Sequence, residues 1–492
     1  MSGAHTDPLA LTPELLLLLG AVAALLTGSF LPRARQWPAR AVAALALAGS
    51  LTAAALQATG AERTVYAGTY ALDGATHAAR LIAPAAALAV LALSVERVRG
   101  DRREAEFSVL VLLGTLGSVV LAGASDLLVL AVAYLLASFP LYALAGWGRD
   151  ARGAEAALKL YLLGTLLGIT LLLGACVLYG LGGATDYAAL AHALPSAPAA
   201  ALAAGTVAVL GGLLFKVGAV PAHFWVPDAA AGASVPAAAF LTTVPKIGGF
   251  VALYRLLTAV PDAVADWRLP VAVLAVATMT LGNLAAFTQR DPLRLLGYST
   301  VSQAGYLLMA VAVAGRPGSL RALLFYLAAY ALTNLGAFAV AAALPGRTTL
   351  RSYAGAGRRH PWLTGALVVC LLGLVGTPPT AVFLGKLTVF AVSWDGGMAW
   401  LAVVAALNTV ASLFYYLRWI APAVGVSPGG DGGRGGDEGG DGDSGDRGDG
   451  GLGGTRPRRW AAGTALATAA GTLLLGAGAG AVLALLPAAV TR

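Results

Sequence analysis

Fourteen apolar runs follow one another along the chain, near residues 11–31, 40–58, 80–97, 107–123, 125–147, 157–181, 199–225, 234–257, 269–288, 294–314, 321–344, 363–392, 398–424 and 460–488. Each is about 18 to 30 residues long, enough to cross roughly 30 Å of hydrocarbon as a helix, and none shows the short alternation of a barrel strand. A segment in lipid must satisfy its own backbone hydrogen bonds, which a helix does within one span. With 492 residues, 58% hydrophobic and only 11% charged, the chain is predicted to be an all-α polytopic membrane protein of about fourteen transmembrane helices. The first run has no positive residue before it and Arg33, Arg35 and Arg40 after it. That order argues against a cleavable signal peptide.

An even number of spans places both termini on one side. Loops after odd-numbered spans carry most of the loop Lys and Arg residues, so these loops are expected in the cytoplasm and both termini outside. The net charge of +8 then follows from topology, and no nucleic-acid partner is implied. Cys176 and Cys370 lie inside apolar spans with no Cys or His at metal-ligand spacing, so no metal site is expected. Residues 1–426 hold spans 1 to 13, 427–458 read as a flexible Gly/Asp-rich cytoplasmic linker, and 459–492 hold span 14. Within the linker, Gly430, Gly432 and Gly435 fit G-x-G-x-x-G without a preceding strand or a βαβ unit, so nucleotide binding is not implied.

Only four lysines occur, Lys159, Lys216, Lys246 and Lys386, and each lies in or against an apolar span, whereas arginine supplies the loops. An ammonium at the bilayer centre costs on the order of 2.5 to 3.5 kcal/mol on insertion scales, and an intramembrane lysine is therefore a functional-site hypothesis by default. Arginine keeps its proton under nearly all conditions, whereas a desolvated lysine can exchange one. Glu155 precedes Lys159 by four residues, which puts both on one helix face and permits an ion pair. The same spacing also suits an interfacial salt bridge with no part in transfer.

Two of the spans are predicted to break beside a lysine. In span 7, Pro221 removes the amide that would bond the carbonyl of Val217, next to Lys216. In span 12, Pro378 and Pro379 free the carbonyls of Leu374 and Val375, and Lys386 follows two turns later. Irregular backbone at membrane depth is tolerated where protein buries it or where it lines a wet cavity. Both breaks share V-G-x-x-P, and both sit at the fourth span of a five-span block, about 107–257 and 269–424. An odd number of spans inverts the second copy, so the pattern predicts two inverted five-helix repeats with broken helices 7 and 12.

Several longer runs carry a resemblance: EAALKLYLLG at 155–164, FKVGAVPAHFWVPDA at 215–229, VPKIGGF at 244–250, RLLGYSTVSQAGYLL at 294–308, YLAAYALTNLGAFAV at 326–340, GTPPTAVFLGK at 376–386 and YYLR at 415–418. The chain resembles the antiporter-like membrane subunits of bacterial proton-pumping NADH:quinone oxidoreductase, respiratory complex I, and among them the subunit N group. The resemblance implies a multi-pass protein of the bacterial cell membrane that carries protons, packed against other membrane-arm subunits and acting indirectly with peripheral redox subunits. It assigns proton translocation to Lys216, Lys246 and Lys386, with Lys159 and Glu155 beside them. It implies NADH, flavin, iron–sulfur clusters and quinone on partner subunits and no cofactor on this chain. The chain itself has no cysteine set for an iron–sulfur cluster and no flavin or nicotinamide fingerprint in context.

Two positions depart from the family pattern. Leu135 stands where the family usually has a span-5 glutamate, which leaves Glu155 as the nearby acidic candidate, and Gln303 stands where histidine is commoner. Glutamine can hydrogen-bond but cannot carry a proton at neutral pH. Two other functions fit the same residues: a subunit of a multisubunit cation/proton antiporter, or a scaffold subunit that fills its place in the membrane without pumping.

Overall fold

The computed structural model describes residues 7–260, 267–425 and 456–490, so most of the 427–458 linker lies outside the described residues. The helices are α1 (Thr12–Phe30), α2 (Trp37–Gln57), α3 (Gly74–Val98), α4 (Glu104–Gly123), α5 (Leu127–Leu136), α6 (Phe139–Ala145) and α7 (Ala151–Gly182). They continue as α8 (Tyr187–Ala193), α9 (Ala199–Val217), α10 (Trp225–Gly232), α11 (Val235–Ala259), α12 (Arg268–Phe287), α13 (Pro292–Ala312) and α14 (Ser319–Ala343). The last are α15 (Ala356–Arg359), α16 (Pro361–Val375), α17 (Ala381–Asp395), α18 (Ala399–Val424), α19 (Arg459–Ala477) and α20 (Ala479–Leu485). Among the described residues, 13 segments are long and apolar enough to cross a membrane, with α5 and α6 counted as one. The shorter pair α16 and α17 makes the remaining crossing, so the expected fourteen spans are present.

The bundle is built around α11, α13 and α14, whose apolar windows are 94%, 94% and 89% buried, against 28% for α2 and 33% for α7. Peripheral α7 turns Leu158, Leu162, Leu166, Ile169 and Leu173 outward at three- and four-residue spacing, a stripe suited to lipid. Its other face is small. A Cβ on Gly174 would lie 2.7 Å from the carbonyl oxygen of Gly205, and one on Gly212 would lie 2.7 Å from the Cβ of Leu171, so α7 and α9 meet nearly backbone to backbone. Close approach through small residues is how helices gain packing where lipid offers no hydrophobic drive.

One departure from the all-helical expectation is a hairpin, β1 (Arg63–Val65) paired antiparallel with β2 (Tyr70–Leu72). It caps one end of the bundle, above two buried ion pairs. Glu14 on α1 takes Arg80 on α3 at 2.7 and 2.8 Å and accepts from the Tyr70 hydroxyl at 2.7 Å. Arg80 also donates to Gln57 and to the carbonyl of Ala10. Beside them Arg255 on α11 bonds Asp73, the Thr76 hydroxyl and the carbonyl of Ala122. A buried arginine needs most of its five donors filled, and these carbonyls and carboxylates fill them.

Candidate functional site

Span 7 ends its first half at Val217 and span 12 at Val375, and in both the next residue is a glycine in the left-handed region, Gly218 at φ +71° and Gly376 at φ +91°. A residue with a Cβ pays roughly 1 to 2 kcal/mol for that conformation. Space adds a second reason for glycine. A Cβ at 218 would lie 2.6 Å from Val226 Cγ2 and 3.4 Å from Lys246 Nζ, and one at 376 would lie 3.0 Å from Lys386 Cδ. Each break is therefore moulded around a lysine.

All three central lysines are buried, Lys216 at 2%, Lys246 at 0% and Lys386 at 3% exposure. None of the ion pairs among the described residues involves them. Lys216 Nζ donates to Ser138 Oγ at 2.5 Å and lies 4.5 Å from the centre of the Tyr134 ring. Lys246 Nζ donates to the carbonyl of Thr300 at 3.0 Å. Lys386 Nζ donates to the carbonyls of Val375 at 2.8 Å and Leu374 at 3.3 Å, and sits 4.1 Å from the Tyr306 ring centre. Those two carbonyls are the ones that Pro378 and Pro379 free from the helix. A ring face and a carbonyl dipole both favour a cation without neutralising it.

The lysines occur in a line. Lys216 and Lys246 flank the first break, with Lys216 Cγ 3.2 Å from the Cβ position of Gly249 and Lys246 Nζ against Gly218. On α13, Thr300 receives Lys246, and one turn on Gln303 donates to the carbonyl of Leu374 at 2.9 Å, the same oxygen that Lys386 approaches. Gln303 also accepts the Tyr326 hydroxyl at 2.6 Å. An amide that donates on one side and accepts on the other suits this junction between the repeats, and it explains a glutamine there by geometry. Tyr330 closes the row, its hydroxyl donating to the Thr242 carbonyl at 2.8 Å and lying 3.1 Å from the Thr300 hydroxyl.

The groups that meet the Lys216 ammonium in span 5 are Tyr134 and Ser138. Span 5 breaks after Leu136, where Pro140 cannot bond the Leu136 carbonyl, and the break turns Tyr134 and Ser138 to the ammonium while Leu135 packs half-buried against the core. Glu155 forms no ion pair with Lys216 among the described residues. It is 64% exposed and binds Lys159 at 2.6 Å, and Lys159 in turn binds Asp228 on α10 at 2.8 Å. Asp228 also takes Arg294 on α13 at 3.0 Å. Lys159 and Glu155 thus belong to a charge cluster at the bundle end opposite the hairpin, apart from the row of three lysines.

Sequence alone does not single out Tyr134, Ser138, Tyr306, Tyr326 or Thr300. Asp228 lies within the FKVGAVPAHFWVPDA run, and an aspartate in an apolar span is a usable signal. The hydroxyls and carbonyls carry none, since their role is set by which helix they face. His223, also in the first break, is buried, and its Nδ1 has no hydrogen-bond partner among the described residues. Among those residues no group of His, Cys, Asp and Glu could hold a metal ion.

The family profile described as NADH:quinone oxidoreductase/Mrp antiporter, transmembrane, matches residues 124–412. The chain is 57% identical over 481 residues to NADH-quinone oxidoreductase subunit N 1 of Streptomyces griseus subsp. griseus, covering 97% of this chain and 98% of that one. It superposes on a chain of respiratory complex I from Thermus thermophilus with a TM-score of 0.80 at 33% identity, over 97% of this chain and 100% of that one. A chain of the Mrp complex from Dietzia sp. shares the fold, with a TM-score of 0.82 at 24% identity over 97% and 95%.

Proposed function

The chain belongs to the NADH:quinone oxidoreductase/Mrp antiporter membrane family, on its subunit N branch, and we propose that it moves protons through the membrane arm of a bacterial respiratory complex I. Electron transfer from NADH to quinone then takes place on partner subunits, which hold the flavin and the iron–sulfur clusters, and this chain carries no redox site. Its neighbours are other membrane-arm subunits. The positive-inside pattern sets the hairpin end and both termini outside and the Glu155–Lys159–Asp228 cluster on the cytoplasmic side. In that orientation 427–458 is a cytoplasmic linker joining α18 to the last span.

The observation that carries the reading is the row of buried lysines, each at a helix break or bound to the helix between two breaks, and none with a counter-ion among the described residues. At low dielectric, two neighbouring ammonium groups repel strongly, so a proton gained at one favours release at the next. Ser138 and the carbonyls of Thr300, Leu374 and Val375 hold each amine in place whether or not it is charged, because a neutral amine still donates. Lys216, Lys246 and Lys386 are then the relay, and Lys159 with Glu155 stand at its cytoplasmic mouth. The break at Pro378 and Pro379 supplies the two carbonyls that Lys386 binds, and the break at Pro221 supplies the room beside Gly218 where Lys246 lies.

The test is the proton yield per NADH oxidised in inverted native-membrane vesicles. Lys216→Met and Lys246→Met lower it while the complex stays assembled on native gels. A parental yield in both variants would remove the relay and favour the scaffold reading. The cation/proton antiporter reading predicts instead that the chain purifies without flavin and iron–sulfur proteins.

A further inference from the structure

We propose that Asp228 is a positioning residue that ties charge pairing at the cytoplasmic mouth to the geometry of the first helix break, and that it is the repeat counterpart of Lys386. The inference rests on the relay above. Counting from the proline of V-G-x-x-P, seven residues lead from Pro221 to Asp228 and seven from Pro379 to Lys386. Each therefore lies on the half-helix that follows a break, and inversion of the repeat points the two half-helices toward opposite sides of the membrane. The charges are opposite as well.

Asp228 binds one cation from each repeat, Lys159 on α7 at 2.8 Å and Arg294 on α13 at 3.0 Å. It is only 19% exposed, at an open cleft of about 300 Å³ lined by Arg152, Glu155, Asp291 and Arg294. The half-helix that carries it is short and tightly seated. Trp225 Nε1 donates to the carbonyl of Phe215 at 3.0 Å, the residue before Lys216. Val226 packs on Gly218, where Lys246 Nζ also lies. Gly297 on α13 lets the half-helix close in, since a Cβ there would lie 2.8 Å from Pro227 Cα.

Asp228 is two positions beyond Val226, about 3 Å along a helix axis. A helix of eight residues moves as one body, because its core contacts have discrete arrangements and do not deform continuously. When one partner of Asp228 lets go, the pull of the other displaces α10, and the displacement reaches Gly218 and Phe215 together. Lys246 and Lys216 are the groups next to those two points. In this way a change of charge at the mouth alters the surroundings of both buried lysines although Asp228 touches neither.

The experiment uses the whole complex in native membranes and compares Asp228→Asn, Asp228→Glu, Arg294→Gln and the Asp228→Asn/Arg294→Gln double variant with Lys216→Met. Asparagine keeps the size of Asp228 but removes its charge and one of the two oxygens that take Lys159 and Arg294. Expected are a loss of proton yield per NADH in Asp228→Asn with the complex assembled, recovery in Asp228→Glu, a loss in Arg294→Gln, and a double variant no worse than Asp228→Asn, since coupled residues do not act additively. Parental yield in Asp228→Asn beside a loss in Lys216→Met overturns the lever and leaves the relay standing, as do additive losses in the double variant. Parental yield in all of them overturns the relay, and the lever with it. If Asp228→Asn does not assemble, Arg294→Gln and Lys159→Gln carry the test, and parental yield in either overturns the proposal.

Discussion

Lys386 shows what separates a charged residue from a transferring one. Its ammonium is held by two carbonyls and a ring face, all of which tolerate a guanidinium's charge, so Lys386→Arg is a test of proton release more than of charge. A guanidinium does not deprotonate in a protein. Lys386→Arg is therefore expected to lower the proton yield in vesicles as far as Lys386→Ala does; a parental yield in both would make the residue structural. Glu155 is the opposite case. Because it is mostly exposed and Lys159 keeps Asp228 as a second partner, Glu155→Gln is expected to leave both assembly and proton yield near parental values.

A half-helix behaves as a unit because of its glycine. Gly376 allows α16 to stop and lets Lys386 reach back to the carbonyls that α16 leaves open, so sequence, backbone and charge meet at one residue. Gly376→Ala adds a methyl 3.0 Å from Lys386 Cδ in a left-handed conformation that costs about 1 to 2 kcal/mol. The expected result is an assembled complex with lowered proton yield and little change in NADH oxidation measured with an uncoupler present. Had the element been a continuous helix with an incidental bend, alanine would be neutral or better there.

At the scale of the whole molecule, the charges divide by task. Buried pairs at the hairpin end clamp α1, α3, α4 and α11, and the lysine row runs through the middle without counter-ions among the described residues. Glu14→Gln leaves Arg80 buried with a weakened partner set, and breaking a buried pair costs on the order of 3 to 5 kcal/mol. The subunit is then expected to assemble poorly, seen as a fall in complex content on native gels, whereas any surviving complex pumps at the parental yield. The linker 427–458 is expected to be replaceable by a Gly/Ser chain of equal length with both quantities unchanged; failure to assemble would show that it binds something. Span number, the two breaks and the three central lysines were legible in the sequence, because apolar length, proline and an ammonium in lipid each act through a local cost that one residue type declares. The partner of each lysine was not. Ser138, Thr300 and Leu374 are ordinary residues for a membrane helix, and although Pro140 marks a break in span 5, nothing in the linear order shows that the break brings Tyr134 and Ser138 to Lys216 while Glu155 pairs with Lys159. Which hydroxyl or carbonyl meets an ammonium depends on how helices far apart in sequence rotate against each other, and that rotation is decided by packing summed over the whole bundle.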